Sequence, residues 1–170
     1  MDKCYFCTSI NQRTGLDLVD KLETDLFVVS WDIHPATPGH TLIIPKRHAQ
    51  HMKELDHNEQ QALIALVIAT KEYIKRADLL SVYEQIAKRT IGTKSKDFIK
   101  LAITKLKDTN RPPEAFNDGL NDGTAAGQTV PHFHWHIMPR WQGDMDDPRG
   151  GIRHMFSGMG NYHRGISGDS

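Results

Sequence analysis

The 170-residue chain has only two cysteines, Cys4 and Cys7, which excludes a disulfide-stapled scaffold of the kind small secreted domains use. It has no excess charge: 21 Lys and Arg stand against 21 Asp and Glu. That balance supplies neither a basic field for nucleic acid nor an acidic tail. Long apolar runs are also missing. The best candidate, Ala62 to Ala69 (ALIALVIA), falls far short of the roughly 20 residues a membrane span needs. The opening MDKCYFC has no basic region leading into an apolar one, so it does not read as a signal peptide. A cytoplasmic chain is expected, with no membrane and no nucleic acid as partner, and long enough for one domain with its own core.

Histidine is what the chain has in quantity, with ten copies. Ahead of the main cluster, Asp25 to Ile33 (DLFVVSWDI) and His40 to Lys46 (HTLIIPK) are β-rich and separated by a Pro38-Gly39 turn. Asp56 to about Ala77 predicts a helix. Asp56 is a good N-cap, Glu59 completes a capping box, and Leu63, Leu66, Val67, Thr70 and Ile74 share a face. Val82 to Ile91 and Asp97 to Lys107 predict two more helices. In the second, Phe98, Leu101, Ala102, Lys105 and Leu106 fall at helical spacing, and its lysines read as a solvated face. Glu114 to Leu120 and Thr129 to Met138 predict strands, and from Trp141 onward no periodicity remains. Residues 1–140 therefore form the domain, with a helical insertion at about 79–113, and 141–170 form a C-terminal extension.

In PHFHWHIMPR, His132, His134 and His136 occupy alternate positions. A strand would send all three to one face, with Phe133, Trp135 and Ile137 on the buried other face. Three imidazoles together can ligate a catalytic metal, or one can act as nucleophile while the others orient it. The loop just before them carries Asn121, Gly127, Gln128 and Thr129. Its amide side chain, backbone N–H groups and hydroxyl suit phosphate oxygens better than a metal.

GQTVPHFHWHIMPR resembles the signature of the histidine triad (HIT) superfamily, in which histidines alternate with apolar residues. WDIHPATPGHTLIIPKRH and Asn121-Asp122-Gly123 resemble further blocks of that family, in its order, and CYFC resembles the CxFC of its zinc-carrying bacterial-type members. The 79–113 segment departs from the pattern by its length. The resemblance implies an α+β domain with an antiparallel sheet of about five strands and one long helix, commonly a homodimer. It implies a nucleotide hydrolase resembling those that act on dinucleoside polyphosphates. His134 would attack the α-phosphorus, form a nucleotidyl-histidine, and release a nucleoside monophosphate after hydrolysis. The same resemblance gives His136 to the phosphate with Gln128 and Thr129 nearby, Asn121 to the leaving side and Asp32 to the ribose hydroxyls. His40 would support the site. Ile33 and Phe27 are candidate walls for the base, with core packing as the competing reading of each.

The cysteine pair needs two further ligands to hold zinc, and an antiparallel pairing of the HTLIIPKRH and triad strands would bring His48 and His132 to one end of the sheet. The expectation is a structural zinc site from Cys4, Cys7, His48 and His132, with no metal required for catalysis. His51, His57, His154 and His163 read as surface residues, and Arg140, Arg149 and Arg153 as solvated or as contacts to distal phosphates. A phosphoramidase releasing AMP from an amine is the nearest rival activity. A protein using the triad as metal ligands, or a non-enzymatic nucleotide-binding protein, is the rival of another class. A nucleotidylyltransferase is disfavoured, because that branch carries glutamine where this chain has His136.

Overall fold

A computed structural model describes residues 4–109 and 111–152, and the sheet within it is built around the two β-rich runs. They form β2 (Phe27–Trp31) and β3 (Thr41–Pro45), antiparallel, with Val29 opposite Ile43. A two-residue β1 (Asp17–Leu18) flanks β2, while β5 (Trp135–Arg140) pairs with β3 and β4 (Ala115–Gly119) with β5, all antiparallel. The order is β1-β2-β3-β5-β4. Every residue of β2 and β3 is buried, so both faces of the sheet centre are covered.

Four helices do the covering. α2 (His57–Arg76) starts at the expected capping box: Asp56 accepts from the Glu59 amide at 2.9 Å, and Glu59 accepts from the Asp56 amide at 2.8 Å. Its buried face is Glu59, Leu63, Leu66, Thr70 and Ile74, the expected stripe with Val67 at its margin. The Glu59 carboxylate also receives Arg47 Nε at 2.6 Å, which ties the end of β3 to the first turn of this helix. α1 (Tyr5–Gln12) was not foreseen, because its N-cap has no side-chain hydrogen bond and its apolar stripe is short.

The insertion is a helical hairpin, α3 (Leu79–Arg89) and α4 (Thr93–Thr109). Here the expected apolar face of the second helix is corrected. Ser95, Ile99, Ala102 and Leu106 are buried, whereas Leu101 is 54 % exposed. The stripe is rotated because α4 packs on α3 and the main core rather than on the sheet alone. Leu79, Tyr83, Ile86, Ile99, Ala102 and Leu106 join Phe27, Val29, Trp31, Ile43 and Ile137 in one core. The insertion is thus part of the domain's apolar interior, where each fully buried large side chain contributes about 1.5–3 kcal/mol.

Tyr83 shows how tightly it is built in. The side chain is fully buried, and its hydroxyl accepts the Gly39 amide at 3.0 Å. Gly39 needs to be glycine twice over: its φ is +81°, and a Cβ would lie 3.0 Å from Pro139 Cγ. Tyr83→Phe leaves that buried amide without a partner and is expected to cost about 1–2 kcal/mol. Thermal unfolding should register it as a fall of about 2–8 °C.

Candidate active site and metal centre

Strand register sets the site. Leu18, Ser30, Leu42, His136 and Gly119 align in one row across the sheet, on the face opposite the main core. α1 lies over this face, where Phe6 and Ile10 pack with Val28, Leu42 and Ile44. Two expectations are corrected here. The strand does not begin at Thr129 but at Trp135. Pro131 offers no amide to a ladder, and the His132 amide turns back onto the Val130 carbonyl at 2.8 Å. The histidines share the face opposite Phe133 and Ile137 as expected, but they do not face outward, since His132 is fully buried and His134 is 7 % exposed, both against Phe6 of α1.

His132 joins the cysteines. Cys4 Sγ lies 3.4 Å from His132 Nδ1, Cys7 Sγ 3.5 Å from the same atom, and Cys7 Sγ 3.4 Å from His48 Nδ1. The four ligand atoms all fall within 4.8 Å of one another. A tetrahedron with ligands about 2.0–2.3 Å from zinc has edges of about 3.5 Å, so these side chains fit that ion. His132 is already in the required tautomer. Its Nε2 is 2.9 Å from the Pro45 carbonyl and must donate there, which leaves the Nδ1 lone pair for a metal. Burial, followed by the adjacent Cys4, pushes the Cys7 thiol up to about 11. Two thiolates so close together need a cation beside them.

The other two triad members are wired differently. His134 Nδ1 donates to the His132 carbonyl at 2.8 Å, so its Nε2 carries the lone pair. The tautomer of His136 follows from a backbone amide. Ala36 N–H donates to His40 Nδ1 at 3.2 Å, so the His40 proton sits on Nε2 and is donated to His136 Nδ1 at 3.0 Å. His136 must then hold its proton on Nε2, a buried atom without a partner among the described residues. A buried donor left open costs about 1–3 kcal/mol, and an arriving anionic oxygen recovers it. Asp32 Oδ2 stands 3.5 Å from His40 Nδ1, longer than the amide contact. Burial lowers the His40 pKa against the pull of this carboxylate.

Asp32, His40 and His136 also have ligand atoms within 4.8 Å of each other. Their imidazoles are hydrogen-bonded to one another in fixed tautomers, which leaves no set of converging lone pairs for an ion. This wiring counts against the reading in which the triad as a whole binds a metal.

A cavity of about 350 Å³ is lined by Asp32, Ile33, Thr129, His134 and His136, together with Phe6 and others. The remaining expected residues fall outside it. Asn121 is half-buried. The Gly127 and Gln128 amides, expected to be free for phosphate, donate instead to the Thr124 and Gly123 carbonyls at 3.0 and 3.2 Å. The Gln128 side chain is likewise occupied: it accepts from the Gly123 amide and donates to the Gln50 carbonyl. Both residues fold the loop that carries Thr129. Phe27 lies in the main core on the opposite face, so core packing is its role. His51 is half-buried and pairs with Asp122, whereas His57 is exposed. Arg140 is held by Asn117 and Asp144 and lines a larger, separate cavity of about 890 Å³, to which no histidine contributes among the described residues. Arg149 pairs with Asp147, and Arg153, His154 and His163 lie outside the described residues.

Phe6 is the residue that sequence reasoning missed. Its ring meets His132 and His134 edge-on, at centroid distances of 5.7 and 5.3 Å. The signal was present, since Phe6 stands between the two cysteines of the metal motif.

Burial, then the neighbouring His40 and His134, hold the His136 pKa down near 4, against an ordinary 6.5. Between these values the unfolded chain binds the extra proton. The stability His136 contributes is therefore complete above pH 6.5 and is lost as pH falls toward 4. Urea midpoints of the wild type should drop across that window, and His136→Gln should drop less steeply.

Among the described residues no helix is long and apolar enough to cross a membrane. A sequence model of the HIT domain family matches residues 21–143. A Zn-bound histidine triad family protein from Mycobacterium smegmatis shares the fold with a TM-score of 0.52 and 28% identity, over 84% of this chain and 78% of that one. The adenosine 5'-monophosphoramidase of Schizosaccharomyces pombe is 29% identical over 137 residues, 81% of this chain and 74% of that protein. An AP-4-A phosphorylase from Mycobacterium tuberculosis is 29% identical over 114 residues, 66% of this chain but only 42% of that protein.

Proposed function

The chain belongs to the HIT domain family, and on that premise we propose that it is a nucleotide hydrolase acting at the α-phosphate through a covalent intermediate on His134. One observation carries the reading: His134 Nδ1 is fixed on the His132 carbonyl, which leaves Nε2 as a nucleophile in the cavity that His136 also lines. In the first step Nε2 forms a bond to phosphorus as the bond to the leaving group breaks. In the second, water attacks phosphorus, the N–P bond breaks, and a nucleoside monophosphate leaves. Dividing one displacement into two easier ones is the gain from covalent catalysis. His136 Nε2–H donates to a non-bridging oxygen, where charge gathers in both transition states. Thr129 adds a hydroxyl, Asp32 accepts from the ribose hydroxyls, and His40 fixes the His136 tautomer. Asn121 belongs to this reading only as a contact to the leaving side.

Dinucleoside polyphosphates are the proposed substrates. The phosphoramidase named above gives specific support to a second reading, in which the leaving group is an amine. We place structural zinc at Cys4, Cys7, His48 and His132, consistent with the Zn-bound relative, where it would cross-link α1 to the sheet and take no part in the reaction. A homodimer also belongs to this proposal.

Diadenosine polyphosphates and an adenosine phosphoramidate, each incubated with the protein and analysed for AMP, decide between leaving groups. AMP from the polyphosphates supports the leading reading, and AMP from the phosphoramidate alone replaces it by the second.

A further inference from the structure

The 79–113 insertion reaches the catalytic cavity through one residue, His34. His34 lines that cavity beside Asp32 and Ile33, and its backbone amide donates to Asp32 Oδ1 at 2.7 Å. The imidazole, however, is held from the insertion. Its Nε2 is 2.9 Å from Ser95 Oγ, and its ring meets Phe98 edge-on at 5.7 Å. Ser95 and Phe98 both stand on α4, and Ser95 continues the buried stripe of Ile99, Ala102 and Leu106, of which the last three sit in the main core. These two contacts hold a ring that is otherwise exposed. They also leave His34 Nδ1 without a protein partner among the described residues, in a ring whose position is fixed before any ligand arrives.

A second cavity, of about 600 Å³, supports the same placement from the other side. Ser95, Arg89 and Thr90 of the insertion line it, and it shares Gly15, Leu16 and Ile33 with the catalytic cavity. The insertion thus lines a cavity that adjoins the catalytic one at Gly15, Leu16 and Ile33.

We propose that His34, clamped by Ser95 and Phe98, is a specificity-determining residue that contacts the nucleoside part of the substrate, and that selecting this part is what the insertion does. The assignment rests on the proposed function, which puts phosphate at His134 and His136 and ribose at Asp32. Nδ1 supplies a hydrogen bond to the sugar or the base edge, and α4 fixes its geometry in advance. Pre-organisation of this kind improves affinity by removing an ordering cost at binding.

The test measures binding of AMP and of pyrophosphate by calorimetry to the wild type, His34→Ala, His34→Gln, Ser95→Ala and Phe98→Ala, with steady-state kinetics beside it. His34→Ala and Ser95→Ala are expected to weaken AMP about fivefold, the worth of one net hydrogen bond, and to leave pyrophosphate unchanged. KM should rise by the same factor while kcat stays within about twofold. His34→Gln, which keeps a hydrogen-bonding side chain, should recover part of the loss. Phe98→Ala should behave like Ser95→Ala if its far-ultraviolet spectrum shows the insertion folded, and Ser95→Ala carries the test if it does not. Wild-type binding of AMP that is unchanged in His34→Ala and Ser95→Ala overturns the inference alone. Equal weakening of pyrophosphate also overturns it, by showing a general disturbance. Failure of the wild type to bind AMP overturns the functional reading together with this inference.

Discussion

His134→Ala should reduce turnover of a diadenosine polyphosphate by at least about a thousandfold, because the variant has no atom to form the N–P bond. Folding should survive the change. Among the described residues the ring makes one hydrogen bond, to the His132 carbonyl, and His132 itself keeps its contacts to Pro45 and the cysteines. Loss of that bond and of ring packing is expected to lower stability by about 1–3 kcal/mol. His136→Ala should be less severe, at about a hundredfold in kcat, since it removes one donor to the charged transition state and leaves the nucleophile in place. Rapid quenching with nucleotide labelled at the α-phosphate separates the two roles. The wild type and His136→Ala should retain label on the protein, whereas His134→Ala should retain none. Turnover by His134→Ala at the wild-type rate would end the nucleophile assignment. Loss of wild-type turnover on chelation, with that variant still active, would favour metal-dependent chemistry instead.

Metal removal should produce the largest change in stability. One zinc per chain is expected on purification, and Cys4→Ser with Cys7→Ser should abolish it. Apparent binding energies of structural zinc reach about 10–16 kcal/mol in small metal-folded peptides. A domain with its own apolar core depends on the metal less, so a loss of about 3–5 kcal/mol and about 10 °C in Tm is expected. Without the ion, Cys4 and Cys7 no longer fix α1 against His48 and His132. The damage should extend to the active site by two routes. Phe6, between the cysteines, packs on His134, and the His132 carbonyl is the acceptor that orients the nucleophile. Turnover of the metal-free protein should therefore fall along with its melting temperature, although the ion never meets substrate. An apoprotein with unchanged melting temperature would remove zinc from this account.

Some of this was legible residue by residue. The Asp56 and Glu59 capping box marked the start of α2, and the Pro38-Gly39 turn separated β2 from β3. These signals are local, acting within a few residues, so a sequence displays them. α1 and the buried face of α4 were not legible in the same way. α1 has a weak cap and is held by contacts with β2 and β3, and the α4 stripe is selected by α3. The Gln128 amide looked like a phosphate donor because its true acceptors, Gln50 and the Gly123 turn, are set by the fold.

By itself, the sequence determined that this is a histidine triad chain, with three imidazoles at alternate positions and a cysteine pair at the other end of the domain. Only the tertiary structure decided what each imidazole does. His132 has the Pro45 carbonyl on one nitrogen and the cysteines on the other, His134 has a carbonyl on Nδ1, and His136 takes its proton placement from Ala36 through His40. The physical reason is that an imidazole's role depends on which nitrogen holds the proton. That is fixed by hydrogen-bond partners up to about a hundred residues away in the chain, which no local pattern records.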